Sequence, residues 1–175
     1  PSEDSVARTT ALLEGFGLRV QRGEHILDQF GYLAGRDEDR LTDLNDAIRD
    51  PEVRAIIATR GGRGAYRIAD GLDFSAMAAD PKLLVGFSEV TILHLALFHR
   101  AGLAGVHGAC WPPDQCGEEA TQSFRQSILA AQTSSIRSVP DEPTSALTTR
   151  GRARGQLVHG GEKTIQWSAC VCAGA

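Results

Sequence analysis

The sequence predicts an α/β fold with a parallel sheet and helices on both of its faces, and three observations support this prediction. Short apolar runs alternate with helical segments along the chain, which is the pattern of βαβ units. The run over 53–58 is β-branched and almost free of polar residues, as in a strand buried on both faces. Glycine-rich turns follow two such runs, at the strand ends where parallel sheets bind ligands.

The first part of the chain contains two predicted helices. Apolar residues at helical spacing predict a helix over 5–16 that ends at Gly17. Alternating residues over 18–20 predict a short strand, and 21–35 has no firm period and is predicted to be mostly loop. A second helix begins with acidic residues at Asp37 and ends before Pro51.

The strand–helix order repeats in the next part of the chain. The strand over 53–58 stops at the glycine-rich segment 59–65, and a third helix follows. We then predict a strand over 83–87, a helix over 90–100 that ends at Gly102, a strand over 104–107 and a helix from about 118 to 131. Because the strands are parallel, the glycine-rich segment 59–65 and the turn that begins at Gly86 are expected at the same edge of the sheet.

The composition also divides the chain. Residues 132–153 are rich in Ser, Thr and Pro, which is typical of a connector. We therefore predict an α/β nucleophile domain over 1–131 that lacks most of its first strand, a connector over 132–153, and the beginning of a truncated second domain over 154–175. Both ends of the sequence are expected to be truncated.

Overall composition excludes several classes of protein. With 42% hydrophobic and 23% charged residues in 175, the chain is expected to be globular and soluble. A net charge of −4 without clusters of Lys or Arg argues against nucleic acid as a partner. No membrane span or signal peptide is visible, so a cytoplasmic location is expected. The four cysteines fit no metal-ligand spacing and are expected to be buried or idle thiols, with no metal bound and no disulfide framework.

The segment 86–89, Gly-Phe-Ser-Glu, is the strongest chemical signal. A serine on a tight turn between a strand and a helix is exposed beside free N–H groups, so that Ser88 could act as a nucleophile. An ordinary alternative exists, because Ser followed by Glu is also a common way to begin a helix. The hydroxyl would then cap free N–H groups, and the carboxylate of Glu89 would favour the positive end of the helix.

Five segments, in order, resemble the LD-carboxypeptidase family of serine peptidases, which includes murein tetrapeptide carboxypeptidases and microcin C self-immunity peptidases. The segments are 32–40 (YLAGRDEDR), 59–65 (TRGGRGA), 81–94 (PKLLVGFSEVTILH), 102–108 (GLAGVHG) and 155–161 (GQLVHGG). Agreement across five segments favours the nucleophile interpretation over capping. The resemblance implies the flavodoxin-like N-terminal domain of this family.

The resemblance also implies roles for particular residues. Ser88 would attack the carbonyl of an amide that joins an L-centre to a D-amino acid, most plausibly in a peptidoglycan-derived peptide. The backbone N–H groups of Gly62 and Glu89 would form the oxyanion hole. Arg60, Arg63 and His107 are possible substrate contacts. The implied chemistry needs no cofactor, the implied partner is a small peptide substrate, and the implied assembly is a homodimer.

The sequence departs from the family pattern at two places. Glu89 stands where the family usually has Asp, and Glu162-Lys163 stands where Asn-Leu usually follows the second glycine pair. The catalytic Glu and His of the family lie downstream of that pair, so this chain is expected to lack the general base and to be inactive alone. Two alternatives stay open: a microcin C-type peptidase that cleaves a peptidyl-nucleotide, and a non-catalytic flavodoxin-like binding module.

The remaining histidines are poor candidates for a substitute base. His94 lies six residues after Ser88, on the helix that leaves the turn, and is too far along it to reach back; it is expected to serve packing or to lie at the surface. No catalytic role is predicted for His25, His99 or His159.

Overall fold

A computed structural model of the chain describes residues 1–108 and 116–130, and the backbone of 170–171. Its helices are α1 (Glu3–Gly15), α2 (Asp37–Arg49), α3 (Ala65–Ile68), α4 (Phe74–Ala79), α5 (Thr91–Ala101) and α6 (Glu118–Leu129). Its strands are β1 (Ala55–Ile57), β2 (Leu83–Gly86), β3 (Val106–His107) and β4 (Cys170–Val171). Short 3₁₀ turns over Ala69–Gly71 and Ser88–Val90 precede α4 and α5.

The sheet has the strand order β1–β2–β3–β4. The first three strands are parallel, with Ile56 opposite Leu84 and Gly86 opposite His107, and β4 is antiparallel to β3. The parallel arrangement confirms the predicted fold class. It also brings the carboxyl ends of β1, β2 and β3 to one edge of the sheet, as the alternating pattern predicted.

Helices cover both faces of the sheet, as predicted. Leu84 belongs to a core cluster formed with α2, α3, α4 and α5, whereas the next residue, Val85, belongs to a second cluster formed with α1 and α6. Side chains of a strand alternate between faces, so this pair shows that β2 is buried on both sides. Burial on both sides explains why the strand segments read as continuous apolar runs.

The predicted helices are present with small shifts in their ends. Gly17 and Gly102 follow α1 and α5 with φ values of 85° and 68°, which confirms them as terminating residues. The strand predicted over 18–20 is wrong, because no strand forms there. Leu18 and Val20 instead pack against the second core cluster, so their alternation reflects burial rather than strand pairing.

The expectation of buried or idle thiols is wrong for Cys116, which forms a disulfide. Its spacing from the other cysteines gave no sign of this pairing. The predicted connector, the segment 155–161 and the far end of the chain lie outside the described residues, apart from the backbone of β4. The division into three regions therefore stays a prediction.

No described helix is both long and apolar enough to cross a membrane.

Candidate active site

Ser88 lies on a sharp turn between β2 and α5. Phe87 is extended, with φ −144° and ψ 174°, and the next residue, Ser88, has a φ of 58°. Ser88 is the only residue other than glycine with a positive φ in the part of the chain that the structure describes. A side chain in this left-handed region costs about 1–2 kcal/mol, so the turn is strained at the serine itself.

The turn exposes Ser88 to solvent and is fixed by its own hydrogen bonds. The N–H of Val90 donates to the Phe87 carbonyl at 3.2 Å, and the Thr91 hydroxyl donates to the Ser88 carbonyl at 2.6 Å. Neither the 3₁₀ turn nor α5 has a side-chain cap. The alternative in which the Ser88 hydroxyl caps the helix is therefore wrong.

The glycine-rich turn after β1, over residues 59–65, packs directly against this serine. A Cβ atom added at Gly61 would lie 3.0 Å from Ser88 Cβ and 2.9 Å from Cε2 of Phe87. Such short separations leave no room for a side chain, which explains the need for glycine at this position. The two turns that the sequence predicted at one sheet edge are thus in contact.

Glu89 ties the two turns together. Its Oε1 accepts a hydrogen bond of 2.9 Å from the N–H of Gly64, at the far end of the glycine-rich turn. The carboxylate is therefore used across the site, and not at the start of its own helix as the capping alternative required. Gly64 has a φ of 104°, a conformation that strongly favours glycine.

The segment 32–40 supports the same turn from the other side. Arg40 Nη1 donates to the Gly64 carbonyl at 3.2 Å, and Nη2 donates to Asp37 at 2.5 Å. Asp37 also accepts from Arg67 at 2.6 Å, and this hydrogen bond is the main reason why the pKa of Asp37 lies below its ordinary value. This segment is one of the five that carry the family resemblance, and no role was predicted for its individual residues.

His107 lies at the end of β3, at the same edge of the sheet as the serine turn. It is opposite Gly86 in the register, and the N–H of Gly108 donates to the Gly86 carbonyl at 2.9 Å. Its ring is 6.4 Å from that of His94.

His94 has the packing role that the sequence predicted. Its Nε2 is 3.3 Å from the Leu84 carbonyl, within the core of the domain. Burial lowers the pKa of His94 to about 4, so the ring is neutral at physiological pH.

The two arginines of the glycine-rich turn, Arg60 and Arg63, are exposed. Neither arginine forms an ion pair within the part of the chain that the structure describes.

A separate polar cluster that the sequence did not predict lies beside α2. His25 Nδ1 is 2.8 Å from Asp43 Oδ1, and the hydrogen bond between them raises the pKa of His25. The ligand atoms of His25, Asp28 and Asp39 lie within 4.8 Å of one another. The cluster is partly exposed, and exposed acidic groups of this kind are common without a metal.

The fold and the site define an α/β domain with an exposed, strained serine on a strand-to-helix turn beside a glycine-rich turn. The family model for the LD-carboxypeptidase N-terminal domain matches residues 1–108. The chain belongs to the LD-carboxypeptidase family, which confirms the resemblance that the five segments indicated.

Individual relatives agree with this assignment. A probable murein peptide carboxypeptidase of Bacillus subtilis is 35% identical over 162 residues, which cover 91% of this chain and 50% of the relative. The murein tetrapeptide carboxypeptidase of Pseudomonas aeruginosa is 40% identical over 106 residues, 60% of this chain and 34% of the relative. The chain thus spans about half the length of the first of these relatives and a third of the second.

A solved structure shows the same fold. The structure titled "Structure of MccF in complex with glutamyl sulfamoyl guanosine" superimposes with a TM-score of 0.67 over 75% of this chain and 41% of that chain, at 21% identity. At this level of identity the similarity concerns the fold alone.

Proposed function

We propose that the protein is a serine carboxypeptidase that cleaves an L,D amide bond in a peptidoglycan-derived peptide, with Ser88 as the nucleophile. The observation that carries the proposal is the strained, exposed conformation of Ser88 on the turn between β2 and α5. The murein carboxypeptidase names of the relatives support the substrate class. Strain of this kind persists where a structure must present a particular side chain.

In the proposed reaction, the Ser88 oxygen attacks the amide carbonyl, and its proton passes to a general base. The backbone N–H groups of Gly62 and Glu89 stabilise the oxyanion, the D-amino acid leaves with a proton, and water hydrolyses the acyl-enzyme. In the described part of the chain, neither of these N–H groups has a protein acceptor. Arg60, Arg63 and His107 would contact the substrate, with an arginine pairing with its terminal carboxylate.

The general base is not among the described hydrogen-bond partners of Ser88, whose hydroxyl contacts neither a histidine nor a carboxylate there. We propose that the Glu and His of the family's second half supply it, since the chain spans only part of its relatives. The 175-residue chain alone should then react poorly, and the complete gene product should react well.

A fluorophosphonate probe tests the nucleophile, because it labels only an activated serine hydroxyl. We expect the complete gene product to be labelled, Ser88→Ala to abolish labelling, and Ser123→Ala, which changes an exposed serine of α6, to leave it intact. Labelling that persists in Ser88→Ala, or an unlabelled complete protein, would contradict the proposal and favour the non-catalytic binding module.

Substrate class is tested with two matched tetrapeptides that differ only in the chirality of the last residue. We expect release of a terminal D-amino acid and no cleavage of the all-L terminus. A peptidyl-nucleotide as a third substrate tests the microcin C-type alternative, which the fold similarity alone does not favour. Preferential cleavage of that compound would replace the peptidoglycan assignment.

The assembly and the location are further proposals. A homodimer is the state that the family resemblance implies, and light scattering on the purified protein would measure its mass. The cytoplasmic proposal and the Cys116 disulfide point in opposite directions, because disulfides persist mainly in oxidising compartments. Cell fractionation would decide between them.

A further inference from the structure

The glycine-rich turn is anchored at two points, and Gly62 lies between them. On one side, Gly61 is in close contact with Phe87 and Ser88. On the other side, the N–H and C=O of Gly64 are bonded to Glu89 and Arg40. Gly62 itself is not packed, since a Cβ atom added to it would meet nothing within 4 Å. Its orientation must therefore be inherited from its neighbours.

The bonds at Gly64 involve charged groups held in a network. The Arg40 side chain is only 15% exposed and bridges the Gly64 carbonyl and Asp37, which in turn pairs with Arg67. Hydrogen bonds with a charged partner are stronger and more directional than neutral ones. A network of this kind restrains a backbone segment that three glycines would otherwise leave flexible.

We propose that Glu89 and Arg40, the latter oriented by Asp37, are positioning residues that hold the glycine-rich turn so that the N–H of Gly62 points to the oxyanion formed at Ser88. This inference rests on the proposed function. An oxyanion hole lowers the barrier only if its donors are oriented before the reaction, since reorientation would consume the energy gained. The side chain of Glu89 thus acts on the turn while its backbone N–H supplies the second donor.

The first test does not depend on activity. In ¹⁵N-labelled protein, Glu89→Ala and Arg40→Met should each increase hydrogen exchange at the Gly64 amide and shift the Gly62 amide resonance. Glu89→Gln keeps an oxygen acceptor and should retain both wild-type signals. Arg49 lies on the same helix as Arg40 and forms an exposed ion pair with Asp73, so Arg49→Met serves as the matched control. An unchanged Gly62 resonance in Glu89→Ala and Arg40→Met would overturn the inference.

The second test separates positioning from simple stabilisation. For the Ser88-dependent hydrolysis by the complete protein, Glu89→Ala and Arg40→Met should lower kcat by about 100-fold, with KM changed by less than about threefold. Glu89→Gln should restore most of kcat. Rapid amide hydrogen exchange in α5 would identify a variant that has failed to fold. If Arg40→Met fails in this way, Arg40→Lys, which keeps the charge, takes its place.

The outcomes distinguish the two proposals. If the wild-type protein shows no Ser88-dependent reaction, the proposed function fails, and the Gly62 resonance still decides the positioning role. If the wild-type protein reacts and the folded Glu89→Ala and Arg40→Met variants keep its kcat, only the positioning inference fails. A rise in KM with kcat unchanged would also overturn it, because the residues would then serve substrate binding.

Discussion

The turns after β1 and β2 both pass through the left-handed region of backbone conformation, one at Gly64 and the other at Ser88. Gly64 has a φ of 104° and carries no Cβ, so its conformation is unstrained. Ser88 has a φ of 58° and carries a side chain, so the same region costs free energy. The turn proposed to supply an oxyanion donor has glycine in this region, whereas the turn proposed to present the nucleophilic hydroxyl is strained there.

The largest effect is expected from a substitution that separates the two turns. In Gly61→Ala, the new Cβ would lie 3.0 Å from Ser88 Cβ and 2.9 Å from the Phe87 ring, so the turns must separate. Displacement of about 1 Å at a catalytic site can cost about 100-fold in rate, and we expect a loss of that size in probe labelling of the complete protein.

Gly15→Ala is the matched control for this change, because a Cβ atom at Gly15 meets nothing within 4 Å. Labelling of Gly15→Ala should equal that of the wild-type protein. Labelling of Gly61→Ala at the wild-type rate would show that close approach of the two turns is unimportant.

The second prediction concerns the stability of the glycine-rich turn. In Gly64→Ala, the added Cβ would lie 2.7 Å from Leu33 Cδ2 in a backbone conformation that alanine avoids. We expect the free energy of unfolding to fall by about 2 kcal/mol. Urea denaturation measures this loss, and an unchanged midpoint would contradict the structure at this turn.

The third prediction has the opposite sign at the other turn. Replacing Ser88 by glycine removes the strained side chain, whereas replacing it by alanine keeps a Cβ in the same conformation. Ser88→Gly should therefore be more stable than Ser88→Ala by about 1 kcal/mol, and both should lose labelling. If denaturation gives equal stabilities for the two variants, Ser88 is not strained, and the contrast between the turns is wrong.

Features of the site formed by residues close together in the sequence could be predicted, whereas contacts between residues far apart in the sequence could not. The serine turn was predictable because the apolar strand, the glycine and the helix that define it are adjacent in the chain. The bond from Glu89 to Gly64 joins residues 25 positions apart and depends on how β1 and β2 pair, so no local pattern contains it. The strand predicted over 18–20 was wrong for a related reason. Burial of Leu18 and Val20 on a core gives the same alternating pattern as pairing in a sheet.

The smallest effect is expected at His25, which lies away from both turns. It tests whether a change of charge outside the two turns affects the site. His25 faces Asp43, Asp39 and Asp28, and chiefly its hydrogen bond with Asp43 raises its pKa above the ordinary value of 6.5. The folded state therefore favours the protonated ring. The resulting stabilisation is fully present below pH 6.5 and is lost as the pH rises through the folded pKa.

We therefore expect the stability difference between the wild-type protein and His25→Gln to shrink as the pH is raised above 6.5, and Asp43→Asn to show the same trend. Urea denaturation across this range measures the difference. A difference that grows with pH would mean that the ring is held neutral in the folded protein. Because no hydrogen bond or ion pair among the described residues joins this cluster to either turn, probe labelling of Ser88 in His25→Gln should equal that of the wild-type protein. A loss of labelling would show that α2 transmits changes at its first turns to Arg40 and the glycine-rich turn.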